Sequence, residues 1–360
     1  MRKLEFGWFL PTSGDTTGYG DPGQLVAPSL DLFTRVITAA EAAGFEYMLV
    51  PVATTCWDAY ITSAMMLGRS HSIKMLVAAR PGYVNPVLLA KMISALDQLS
   101  GGRVAVNLIA GQSDAEAESE GIQWTKQQRY EMMDEEVSIL KALWTARGKV
   151  DFAGRYHTLT GARISPQPLQ QPHPRFYLGG GSQQAWEISA KHADIHLFWG
   201  DTTAQIAANM QTIRGMAAVH GRAEKIGFGM RLQIICRERA EDAWDAAHEL
   251  VRHVTDANTK FIRTHYASSE ANRRVQELAQ THGDLIAPHL WTGITRVRPG
   301  AGICVVGNPV QCADTLQDFI DLGCQSFCLS GYLHDTEAER FARLVRPILA
   351  ERNFPRMRTA

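Results

Sequence analysis

Phe176-Tyr177-Leu178-Gly179-Gly180-Gly181-Ser182-Gln183-Gln184-Ala185-Trp186-Glu187-Ile188-Ser189-Ala190 decides how the chain is read. The first three residues form the end of a buried strand. Three glycines and a serine follow, and the remainder reads as a helix. A strand, a glycine turn and a helix N-terminus make an anion site, because glycine lets backbone N–H groups approach closely and the helix dipole favours negative charge. The same residues also serve as a plain strand-to-helix turn with Ser182 as N-cap. The rest of the chain has to separate the two.

Outward from this turn, apolar strands and amphipathic helices alternate. Strands are predicted at Leu4–Leu10, Tyr47–Val50, Lys74–Ala79, Val104–Ile109, Phe176–Leu178, Ile195–Phe198, Gly229–Cys236 and Ser326–Ser330. Helices are predicted at Leu30–Ala43, Val87–Leu99, Arg129–Trp144 and after Ser182. Helices end at glycine and a short apolar strand follows, as in Ala42-Ala43-Gly44-Phe45 and Asp321-Leu322-Gly323-Cys324. Glycine past a helix end is a capping device. Continuous apolar strands between helices indicate a parallel sheet covered on both faces. Eight such units predict a (β/α)₈ TIM barrel with insertions, as a single domain over 1–360. A doubly wound open sheet is the other solution, and counting strands does not exclude it. Two stretches depart from the repeat. Residues 151–174 are rich in Gly, Pro and Gln and read as a loop with a hairpin. Residues 253–299 read as a long helical insertion plus loop after the seventh strand, where a barrel carries its active site.

Composition narrows the function classes. The chain has 360 residues, 45% hydrophobic and 20% charged, with a formal net charge of −1. This is ordinary globular composition and favours neither a nucleic-acid binder nor a polybasic membrane protein. Met1-Arg2-Lys3-Leu4-Glu5-Phe6 passes straight into a strand, without a signal-type apolar region, and no stretch approaches a membrane span of roughly 20 apolar residues. The cysteines Cys56, Cys236, Cys304, Cys312, Cys324 and Cys328 lack metal or disulfide spacing, so a reduced, cytoplasmic protein without a bound metal is expected.

The predicted strand ends carry polar groups but few acids and bases. There is no paired carboxylate, no G-x-S-x-G and no H-E-x-x-H. His192 and His196 straddle a helix-to-strand junction and read as packing residues. A phosphate grip with arginines, amides and a tyrosine suits a cofactor that brings its own chemistry.

These residues resemble a family. Trp8-Phe9-Leu10-Pro11-Thr12, Thr55-Cys56-Trp57-Asp58-Ala59, Leu76-Val77-Ala78-Ala79-Arg80-Pro81, Arg129-Tyr130-Glu131, Tyr177-Leu178-Gly179-Gly180, Gly229-Met230-Arg231-Leu232, Arg298-Pro299-Gly300-Ala301-Gly302 and Leu329-Ser330-Gly331-Tyr332-Leu333-His334 occur in order along nearly the whole chain. They resemble the bacterial luciferase-like flavin monooxygenases, and among them the two-component alkanesulfonate monooxygenase. The resemblance implies a barrel that takes reduced FMN (FMNH₂) from a separate NAD(P)H-dependent flavin reductase. It also implies O₂ as co-substrate, a C4a-peroxyflavin, and release of sulfite or sulfinate from a small organosulfur compound. It carries flavin contacts onto Asn107, Glu116, Arg129, Tyr130, Gly180, Gly181 and Ser182, with a non-proline cis peptide at Ala78–Ala79. It carries substrate-side roles onto Arg231, Arg298, Tyr332, Gln233 and Cys56, with Ser13 and Trp199 in the pocket. A homo-oligomer, dimer or tetramer, follows by analogy.

The sulfonate enzyme has histidine where this chain has Ser13 and Gln233. That makes the pocket less basic and keeps a neutral heterocycle open as substrate. Ser165-Pro166-Gln167-Pro168 is similar to segments of the related pyrimidine-ring and dimethylsulfone monooxygenases. A deazaflavin-dependent reductase and a non-catalytic flavin-binding barrel are further readings of the same scaffold.

Overall fold

A computed structural model describes residues 3–111 and 113–357; Met1 and Arg2, which the sequence reading joins to the first strand, lie outside them. Eight parallel strands close into a barrel. They are β1 (Glu5–Phe9), β2 (Tyr47–Val50), β3 (Lys74–Ala79), β4 (Val104–Leu108), β5 (Phe176–Gly179), β6 (Ile195–Trp199), β7 (Gly227–Cys236) and β8 (Ser326–Ser330). Each pairs with the next, and β8 pairs with β1 through Glu5↔Ser326 to Trp8↔Leu329. The step from β6 to β7, Ile195↔Gly227 to Trp199↔Arg231, completes the ring and rules out an open doubly wound sheet.

Strand alternation divides the apolar residues between two cores. Met48, Val50, Met75, Val77, Val104 and Val106 face outward and pack beneath the helices. Tyr47, Leu49, Leu76, Ala105, Tyr177, Ile195, Leu197 and Cys328 fill the barrel with Phe9. Bulky residues fit inside because glycines oppose them: a Cβ on Gly7 would sit 2.0 Å from the Tyr47 ring. Helix ends follow the sequence signals. Asn85 caps Pro86–Ser100 at its start, and Gly101 ends it at φ 69, a left-handed conformation that glycine adopts freely.

Three features differ from the sequence reading. Strand β7 is ten residues long, and its outer half, Gln233–Cys236, outruns β6 and pairs in parallel with an additional strand, Cys304–Gly307. That strand continues antiparallel into Leu290–Trp291 and Leu285–Ala287. The stretch 253–299 therefore contains, besides the helices Asp256–His265 and Glu270–His282, two short strands. Finally, Ala78 and Ala79 are not a cis pair. They are ladder residues facing Asn107 and Leu108, held extended by β4, and the non-proline cis peptide among the described residues is Tyr332–Leu333. In 151–174 a hairpin forms from Val150–Ala153 and Thr158–Ala162. Its turn is fixed by Glu135, which accepts the N–H groups of Arg155, Tyr156 and His157. No helix among the described residues is long and apolar enough to cross a membrane.

Gly229 lies inside the barrel, where a Cβ would approach the Ser326 backbone carbonyl to 2.1 Å. The carbonyl belongs to the β8 ladder and has nowhere to move. Gly229→Ala is expected to destabilise the protein by about 2–3 kcal/mol, the upper part of the range for overpacking, measured by denaturant unfolding.

Candidate active site

The C-terminal ends of the strands surround a cavity of about 670 Å³. One end is the glycine turn. Strand β5 stops at Gly179, and Gly180 turns the chain at φ 141. A Cβ on Gly180 would meet the Ala185 side chain at 2.9 Å, and one on Gly181 would reach the Ala271 backbone at 3.4 Å. Ser182 caps the helix Gln183–His192 by accepting the Ala185 N–H at 3.3 Å. The turn is tied in place by Trp186 Nε1, which donates to the Gly180 carbonyl at 3.1 Å. Two further helix N-termini border this end. Ser269 caps Glu270–His282, and Lys126 begins Lys126–Thr145, with its Nζ 3.6 Å from Glu270. The Tyr130 phenol receives a weak contact from Ser182 Oγ at 3.4 Å. Three helix N-termini and a lysine paired with Glu270 thus border one small space, an arrangement that could hold an anion.

Asn107, Glu116 and Arg129 line the cavity between its two ends, and their commitments differ. The Asn107 amide is buried and makes no side-chain hydrogen bond to a described residue. The Arg129 guanidinium is fully engaged as a brace, donating to the Ala110 and Trp124 carbonyls at 2.8 Å and to Asp114 at 2.7 Å. Glu116 is held by Arg80 at 2.9 Å and by the Thr54 N–H at 2.9 Å, while Arg80 also reaches Glu120 at 2.7 Å. Burial works against the Arg80 charge, but Glu116, Tyr83 and Glu120 around it together outweigh this and raise its pKa.

The opposite end is cationic. Arg231 projects inward from β7, and Arg298 comes from the loop that ends the 253–299 stretch. Their guanidiniums lie 4.8 Å and 5.0 Å from the Phe9 ring centre. Among the described residues neither forms an ion pair with a carboxylate. Arg231 Nη1 donates to the Leu232 carbonyl at 2.9 Å, and Nη2 is buried without a partner. Arg298 Nη1 donates to the Tyr332 phenol at 2.7 Å, and Nε is buried without a partner. Burial draws the Arg231 pKa down from its ordinary value. Cys56, Ser13 and Trp199 complete the walls, and burial pushes the Cys56 thiol up, so it stays neutral near pH 7.

Two residues expected at the site are not on its wall. Gln233 points elsewhere: its Nε2 donates to the Ala301 carbonyl at 2.8 Å and its Oε1 accepts from Ser330 at 2.5 Å. It is a strut that fixes the loop beside Arg298. Ala78 is buried within the β3 ladder and does not line the cavity. Conversely, Tyr19, Lys126 and Asp15 carry no signal in the sequence, and Arg80 and His334 stand in the quoted motifs without an assigned role, yet all five are on the wall. Asp15 lies 2.9 Å from His334 Nδ1 and accepts the His334 N–H at 2.8 Å. His334 ends the quoted Leu329–His334 motif, but its partner lies 319 residues away, and no local pattern announces that pairing.

His192 and His196 serve separate structural purposes. His192 contacts Asp134 at 2.5 Å, whereas His196 is fully buried behind the glycine turn, with Nδ1 2.7 Å from Ser189 Oγ.

The luciferase-like monooxygenase family model matches residues 4–326. Among solved structures, DmoA from Hyphomicrobium sulfonivorans superposes with a TM-score of 0.81 at 19% identity, covering 100% of this chain and 90% of that one. EDTA monooxygenase (EmoA) from Chelativorans sp. BNC1 gives 0.78 at 18% identity, covering 100% and 96%. A coenzyme F420-dependent tetrahydromethanopterin reductase from Methanopyrus kandleri gives 0.69 at 16% identity, covering 96% and 99%. At such identities the likeness to solved structures speaks for the barrel.

Burial pushes His196 down to about 3 from the ordinary imidazole value of 6.5. Between these values the unfolded chain binds a proton that the folded protein refuses. Stability from this residue is therefore complete above about pH 6.5 and is expected to fall as pH drops toward 3. Urea unfolding across that window should show a shallower decline for His196→Gln than for the unmodified protein.

Proposed function

We propose, from the premise that this chain belongs to the luciferase-like monooxygenase family, that it is a monooxygenase using reduced FMN and O₂ on a small organosulfur anion. A reduced flavin mononucleotide fits the residues present. The turn at Gly180 leaves no room for a Cβ, and Gly181 beside it adds a second residue without a side chain, which suits close backbone approach by a terminal phosphate. Ser182, Tyr130 and Lys126 would hold that phosphate, and the Asn107 amide, which has no side-chain partner among the described residues, would meet the ring system. Arg129 and Glu116 brace the walls around it. A volume of about 670 Å³ lies within the range of roughly 300–1,000 Å³ for ligand sites and leaves space for a small substrate. When bound, reduced flavin supplies the electrons that activate dioxygen. Its source would be a separate NAD(P)H-dependent flavin reductase, a reading supported by the sequence resemblance to the two-component alkanesulfonate monooxygenase.

One observation carries the substrate class. Two guanidiniums, the buried Arg231 and the half-buried Arg298, face the cavity, each with one buried nitrogen that has no partner and with no carboxylate paired to it among the described residues. A buried cation left unpaired is costly, so an anionic group on the substrate is the natural partner. The planar donor fork of arginine matches a sulfonate, whose oxygens accept more than one hydrogen bond. Tyr332 would add a hydroxyl at the same place, while Cys56, Ser13 and Trp199 shape the remainder. Gln233, as a strut, offers no argument for a neutral heterocycle.

The test is a coupled assay with a flavin reductase, NADH and FMN over a panel of sulfonates, sulfones and neutral heterocycles, following oxygen uptake and sulfite or sulfinate release. A sulfonate is expected to turn over in preference to the neutral sulfones and heterocycles. Arg231→Gln is expected to lower kcat/KM about ten- to a hundredfold, the size of a lost charged hydrogen bond. Turnover confined to the neutral sulfones or heterocycles would overturn the anionic substrate class. Binding of deazaflavin F420 in place of FMN would overturn the cofactor and favour the reductase reading suggested by the F420-dependent neighbour.

A further inference from the structure

The Arg298 end of the cavity contains a second phenol. Tyr19 stands on the loop after β1, where its backbone N–H donates to the Leu250 carbonyl at 2.8 Å. The adjoining hairpin of Asp15–Thr16 with Leu25–Val26 supports the same loop. The Tyr19 ring meets Tyr332 edge to face, with centroids 5.4 Å apart. Tyr19 Oη donates to Tyr332 Oη at 3.0 Å, and Arg298 Nη1 donates to the same oxygen at 2.7 Å. Both phenols line the cavity.

Two hydroxyls bring two protons, and their mutual contact uses one. Arginine has donors only, so it absorbs none. One hydroxyl proton is therefore left over. Tyr332 accepts from both neighbours, so the remaining proton is its own, and it has no acceptor among the described residues. We infer that Tyr19 is a positioning residue: by donating to Tyr332 it occupies the phenol oxygen together with Arg298, and so directs the Tyr332 O–H at an oxygen of the bound substrate anion. This rests on the functional reading above, and it adds a third donor beside the free groups of Arg231 and Arg298. Without Tyr19 the Tyr332 hydroxyl is free to rotate about its C–O bond and loses its fixed aim.

The experiment is a double-mutant cycle on the full chain using Tyr19→Phe, Tyr332→Phe and the pair, with 1-butanesulfonate as probe. Calorimetry in the presence of FMN gives its dissociation constant, and the coupled assay gives kcat and KM. Flavin fluorescence quenching and thermal melting report whether each variant still folds and takes up FMN. Tyr19→Phe, which keeps the ring, is expected to weaken sulfonate binding and kcat/KM about five- to tenfold, the scale of one hydrogen bond. In the Tyr332→Phe background the same change is expected to have no further effect, because Tyr19 acts through Tyr332. Equal losses in both backgrounds, or no loss from Tyr19→Phe alone, would overturn the inference. A non-additive effect on binding without oxygenation of any sulfonate would sustain the role of Tyr19 and sink the proposed reaction instead.

Discussion

Closure of the parallel sheet rests on β7. This strand hydrogen-bonds to three others: β6 along its first half, β8 along its middle, and Cys304–Gly307 along its overhang. A strand can serve three neighbours only if it is long and free of bulk where it is most crowded. Gly227 and Gly229 provide the second condition, since a Cβ at either would lie within 2.2 Å of a neighbouring atom. Closure in turn fixes the height of Arg231, two residues beyond Gly229 on the same inward face. The cationic end of the cavity is thus set by the barrel itself, whereas Arg298 reaches it from a loop that the overhang holds in place.

That overhang explains the arrangement around Arg298. Gln233 is inward on the extended part of β7, and its amide joins the Ala301 carbonyl to Ser330. Three residues from Ala301, Arg298 rests over Phe9 and against Tyr332. A polar side chain that looks like a substrate contact in sequence is a fixture for the contact residue next to it. Buried amides satisfied on both sides do this well, because they add direction without charge.

The eight barrel strands were legible in the sequence because each is a short apolar run set off by helices and glycine turns, and the strand-to-helix turn at 179–182 was legible for the same reason. The strand Cys304–Gly307 was not: its apolar run matches the others, but its place depends on how far β7 outruns β6, which no local pattern records. Gln233 was misplaced because alternation tells which face a residue takes and not what chain returns to meet it. Ala78–Ala79 was expected as a cis pair from the resemblance, yet the β3–β4 ladder holds both residues extended. Tyr19 and the Asp15–His334 pair depend on contacts spanning more than 300 residues, and only the closed ring brings them together.

The two ends of the cavity are built from different parts of the chain. The glycine turn, Lys126, Tyr130 and the start of Glu270–His282 surround one; Phe9, Tyr19, Arg231, Arg298 and Tyr332 surround the other. The two groups share no residue, so a substitution in one leaves every side chain of the other in place. For protein engineering this is a separable layout: the walls around Arg231 and Arg298 can be rebuilt while the glycine turn, set by the end of β5 and the helix after it, stays as it is.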